Sequence, residues 1–114
     1  MVGWLRAIGR FLYFIASTSE SIIAFLLLTA FGTPKKKAGF IVRRRWLNRL
    51  PGPMGLRLDV IGQPTKEPAL IVCNHISYDD PIVVLLHVEA QVVAKAEVKK
   101  WPLVGFGALL VGTI

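Results

Sequence analysis

The stretch IVCNHISYDDPIVV, Ile71–Val84, holds the reading of the fold. It passes from a run of apolar residues, Ala69–Cys73, through a polar turn, into a second apolar segment opened by Asp80-Pro81. A short run that is apolar at every position reads as a central strand covered on both faces. Aspartate followed by proline reads as a helix start, with Asp80 at N-cap and Pro81 at N1. The expectation is therefore strand, turn, helix, with the helix over 81–89. In open α/β sheets, ligand and catalytic groups gather at the carboxyl ends of strands. Asn74 and His75 fall at that position.

Working outward, Leu56, Leu58 and Val60 alternate with Arg57 and Asp59, the pattern of a half-buried strand. GQPTKEP, 62–68, reads as a turn. Residues 91–96 read as another strand, and 99–110 contain a short helix after Pro102. This order predicts an α/β layer with parallel pairing over 56–114. Cys73 is the single cysteine, so no intrachain disulfide can form, which fits a reducing compartment. It is expected to be a buried, inert thiol. Cys73, His75 and His87 have no zinc-type spacing, so no metal is expected.

The chain has 114 residues, 54% of them apolar, and its mean hydropathy is +0.55. Those values point toward a membrane. The net charge of +7 is unevenly spread. Residues 1–57 carry ten Lys or Arg and one acid, Glu20, whereas 58–114 carry four Lys and six acids. Phe11–Phe31 holds one charge in 21 residues, enough as a helix for about 30 Å, roughly one hydrocarbon core. Arg6, Arg10, Tyr13, Ser17 and Glu20/Ser21 share one helical face, so the first half is amphipathic. Thr18 or Ser19 can cap a second helix within the cluster 17–21. One spanning helix and two interfacial helices both remain open. A signal peptide is disfavoured, because no small-x-small cleavage site closes the run.

KKKAGFIVRRRWLNRL, 35–50, carries seven cations and no acid. If helical, it sets Phe40, Leu47 and Leu50 near one face with Trp46 beside them. A basic amphipathic segment after a membrane run reads as a contact with anionic headgroups, and its sign places this side toward the cytoplasm. A nucleic-acid partner is not expected, since it leaves residues 4–31 without a purpose. PGPMG, 51–55, reads as a linker between a membrane-associated basic segment, 1–50, and the layer at 56–114.

The turn has chemistry available. A histidine with a pKa near ~6.5 is mostly neutral at neutral pH and can take a proton from a hydroxyl. A carboxylate on its other ring nitrogen fixes the tautomer and steadies the imidazolium. Asp80 is the choice for that carboxylate, with Asp79 a competitor. Ser77 is an alternative nucleophile, though nothing marks it as an elbow. Asn74 is read as shaping the turn.

At NHISYDD the sequence resembles the Asn-His-x4-Asp block of the glycerolipid acyltransferases, the group containing 1-acylglycerol-3-phosphate acyltransferase. VAKAEVKKWPLVGFGALLVGTI, 93–114, is similar to the family segment that follows. Its final Gly112-Thr113-Ile114 looks like the opening of the family's Gly-x-x-Phe-x-x-Arg block. The resemblance implies transfer of a fatty acyl group from acyl-CoA or acyl-carrier protein to a lysophospholipid hydroxyl, with no cofactor. It implies His75 as general base, Asp80 orienting it, and Lys95 near the acceptor phosphate. A solvated strand-end lysine is the competing reading of Lys95. The Phe and Arg of the second block, and the third and fourth blocks, are not in the sequence. The chain is therefore expected to be an N-terminal fragment of an acyltransferase domain, inactive or nearly so by itself. Two alternatives stay open: an inactive membrane tether that binds anionic lipid, and an acyltransferase acting on lyso-ornithine lipid or glycerol-3-phosphate.

Overall fold

The structure, a computed structural model, describes residues 1–74, 80–102 and 105. Helix α1, Val2–Ala30, is one continuous rod. At 1.5 Å per residue it reaches about 43 Å. The hydroxyl cluster at 17–21 does not break it. Ser17 and Thr18 donate to the carbonyl of Phe14, and Ser21 donates to that of Ser17. Hydroxyls that bond back to the preceding turn are satisfied within the helix and have no need of a cap position.

The rod ends in a hairpin turn. Gly32, at φ +94°, takes the left-handed conformation open to glycine. The Gly32 N–H donates to Thr29 O and the Thr33 N–H to Leu28 O, the paired bonds of a Schellman stop. Pro34 then caps α2, Lys35–Arg49, which folds back along α1. Ala38 and Gly39 are buried at the contact, and their small size lets the helices approach closely. Phe25 of α1 packs there on Ala38 and Val42, with Ala24 and Leu28 beside them.

Residues 51–55, expected as a linker, contain the single turn α3, Pro51–Met54. Both prolines sit in its first turn, where a missing N–H loses no helical bond. Gly55, at φ +72°, closes α3, and the Leu56 N–H returns to Pro51 O. Helix α4, Asp80–His87, packs on α2. Its Ile82 is buried with Leu47 and Leu50, and Tyr13, Phe14, Trp46, Met54, Leu85 and Leu86 surround them. The second apolar cluster thus takes side chains from all four helices.

The α/β layer is not what forms. Among the described residues there is no strand and no sheet. Residues 56–60 and 69–73, each expected as a strand, have no regular structure, and of the strand expected over 91–96 residues 91–95 have none while Ala96 opens a 3₁₀ turn. Leu70 is 90% exposed, Val72 83% and Val93 82%, so no layer covers them. Alternation and apolar runs specify at most an extended backbone; a ladder also needs a neighbour to take each N–H and C=O. Cys73 is accordingly exposed, against the expectation of burial.

Candidate active site

Asp80 is half-buried at the start of α4. The helix begins at Asp80 itself, one residue before the expected position, a difference within the usual spread of helix boundaries. A carboxylate in a first helical turn lies where the helix dipole favours negative charge. α4 is a short helix, and its placement comes from Ile82, 8% exposed against Leu47 and Leu50. The α1–α2 hairpin therefore carries the element on which Asp80 sits. His75, Ser77 and Asp79 lie outside the described residues. Asn74 is exposed and lies in no regular element.

Lys95 is exposed at the start of a 3₁₀ turn, Ala96–Lys100, and its carbonyl accepts the Val98 N–H at 3.0 Å. That turn precedes Pro102. Of the short helix expected after Pro102, only Gly105 is described; it is helical and buried, and its N–H donates to Trp101 O at 2.9 Å. A β-carbon at Gly105 would overlap the Lys99 carbonyl and lie 2.7 Å from Val98 O, so this close approach requires glycine. His87 is exposed and its Nδ1 lies 2.9 Å from Val83 O, a contact within its own helix.

Two features beneath the site were missed in the sequence. Glu20 faces α2, where it accepts from Arg45 Nη2 at 3.0 Å and from Arg49 Nη1 at 2.6 Å. Tyr13 OH donates to Arg49 O at 3.1 Å, so Arg49 is held by both its side chain and its carbonyl. Arg43 Nη1 donates to Ala90 O at 3.4 Å, and Arg44 lies 4.0 Å from Glu89. The four arginines of α2 thus tie the hairpin together and tie it to the segment after α4. One signal was available: Glu20 is the lone acid among the first 57 residues, in an apolar helix that precedes a cationic one. The other feature is the edge-to-face stack of Phe14 on Trp46, centroids 5.9 Å apart.

A family model described as acyltransferase matches residues 57–114. The chain belongs to the acyltransferase family. It is similar to the lyso-ornithine lipid O-acyltransferase of Pseudomonas aeruginosa, 35% identical over 71 residues, which cover 62% of this chain and 28% of that protein. The enzyme of the same name from Rhizobium meliloti is 35% identical over 77 residues, covering 62% of this chain and 26% of its own length. That of Brucella abortus is 30% identical over 82 residues, covering 64% and 31%. The chain of this acyltransferase-family member thus spans about 30% of the length of these curated relatives. No solved structure matches it.

Proposed function

We propose that the protein acts in acyl transfer from a thioester donor, acyl-CoA or acyl-carrier protein, to the free hydroxyl of a lysolipid. The observation that carries this reading is Asn74-His75-x4-Asp80 inside the family-matched span 57–114. In the step proposed, His75 takes the proton of the acceptor hydroxyl as its oxygen attacks the thioester carbonyl. Asp80 holds the imidazole in the tautomer that can accept this proton. The tetrahedral adduct collapses, the C–S bond breaks, and the imidazolium returns its proton to the departing thiolate. The products are an acylated lipid and a free thiol, and no acyl-enzyme forms. Lys95, exposed, supplies a point charge suited to an acidic group on the acceptor. Among acceptors, the names of the relatives favour a lyso-ornithine lipid over lysophosphatidate.

The reading places this chemistry at a membrane surface. α1 is long and apolar enough to cross a bilayer by length and composition. α2 lies antiparallel beside it, however, and Glu20 sits in the middle of α1 in contact with Arg45 and Arg49. A crossing α1 would carry these charges into hydrocarbon, where each costs several kcal/mol or more. Ile8, Leu12, Ile15, Ile22 and Leu26 recur at three- and four-residue spacing, with only Ser19 interrupting the row. Ile8, Leu12 and Leu26 are exposed, on the side of α1 away from α2. That stripe suits a helix lying along the cytoplasmic interface. The test is His75→Ala in the polypeptide encoded by the whole reading frame. Acyl transfer to lyso-ornithine lipid and to lysophosphatidate should both vanish while membrane recovery is unchanged. Retained transfer would remove the assignment of His75.

A further inference from the structure

The seven cations of α2 divide into two groups. Arg43, Arg44, Arg45 and Arg49 reach protein oxygens on Ala90, Glu89 and Glu20. Lys35, Lys36 and Lys37 are exposed, and among the described residues no hydrogen bond or ion pair engages their ammonium groups. These lysines fill the first turn of α2, which contains no acid. Positive charge there opposes the helix dipole and destabilises the helix. Folding therefore gives no reason for three consecutive lysines at this place. Around them the hairpin exposes large apolar side chains: Phe31 is 86% exposed, Phe40 45% and Ile41 42%.

We propose that the hairpin tip, Phe31 to Ile41, is the element that selects an anionic lipid surface, with Lys35–Lys37 on headgroup phosphates and Phe31, Phe40 and Ile41 wedged among the acyl chains. This deepens the membrane reading above and rests on it. The arginines of α2 take no part in the selection. The charge complementarity is direct: three exposed ammonium groups on flexible stems meet a plane of phosphates, and the aromatic and aliphatic groups between them enter the interface. The stripe on α1 supplies affinity for any bilayer; the tip supplies the preference for charge.

The experiment is vesicle flotation of the chain made by cell-free synthesis. One vesicle set is phosphatidylcholine alone, and the other is phosphatidylcholine and phosphatidylglycerol in equal parts. The wild-type chain should float with both and prefer the anionic set. Replacing Lys35, Lys36 and Lys37 together by Gln should lower partition to the anionic set by roughly a hundredfold, leaving neutral partition unchanged. That variant removes charges adverse to its helix and so keeps the hairpin. The matching Lys→Arg triple should retain the preference, and raised salt should abolish it. Arg45→Gln with Arg49→Gln should leave the preference within about threefold. The proposal is overturned if the lysine triple keeps its preference, or if the arginine pair alone abolishes it. It is also overturned if the lysines prove necessary for binding a duplex oligonucleotide and irrelevant to vesicles. A wild-type chain that floats with neither set would instead defeat the membrane reading itself.

Discussion

Leu50→Ala offers the sharpest test of how α4 is held. Leu50 is fully buried at the junction of α2 and α3, in contact with Leu47 and Ile82. The substitution removes three carbon atoms and leaves the backbone bond from the Met54 N–H to Leu50 O in place. At about 0.8 kcal/mol per buried carbon the transfer loss is about 2.4 kcal/mol. A cavity adds to this, because side chains from four helices surround the position and cannot all close in. The total should fall near 3–4 kcal/mol, inside the range of about 2–5 for buried Leu→Ala. The loss should be felt first at α4. Its eight residues are too few to stay helical without packing. Hydrogen exchange on the chain in micelles should therefore show the amides of 83–87 losing protection by roughly two orders of magnitude, at about 1.4 kcal/mol per decade. The α1 amides near Phe25, in the other cluster, should change far less. Leu70→Ala, at a 90% exposed position, serves as the control and should change nothing measurable. If Leu50→Ala costs under about 1 kcal/mol, well short of the buried range, or leaves α4 exchange untouched, the docking of α4 on the hairpin is wrong.

The remaining predictions concern the same interface. Trp46 Nε1 is buried without an acceptor among the described residues. Trp46→Phe should therefore be neutral or slightly stabilising in thermal unfolding, because it removes an unsatisfied donor and keeps a ring against Phe14. Trp46→Ala should cost about 3–5 kcal/mol. Glu20→Gln should lower stability by about 1 kcal/mol at most, with the difference shrinking at high salt, because both arginine side chains are half exposed.

The helical half of the fold was legible because its signals are local. The apolar run of α1 and the Asp80-Pro81 start each specify a backbone within a few residues. The basic helix was legible in outline only. Leu47 and Leu50 are buried on the face predicted, yet Phe40, seven residues before Leu47 on that face, is exposed because α4 covers one end of α2 and leaves the other open. Periodicity marks a face and does not say what lies on it. The strands failed for the same reason in stronger form. Residues 69–73 contain nothing that names a pairing partner, so uniform apolarity was equally compatible with an exposed coil.

The roles proposed for His75 and Asp80 come by a different route, from residue types at a spacing that suits proton transfer within a family-matched span. What the spacing left hidden is the support of Asp80. That support is non-local: Ile82 reaches Leu47 and Leu50, Arg43 reaches Ala90, and Glu20 fixes the arginines of the helix between. The consequence is mechanical. A force that tilts α2 against α1 must also move the first turn of α4, because α4 packs directly on α2. On the membrane reading proposed above, seating the hairpin at a bilayer would therefore bear on the position of the Asp80 carboxyl. Under the function proposed above, that linkage would set the base in order at the surface where a lipid acceptor lies.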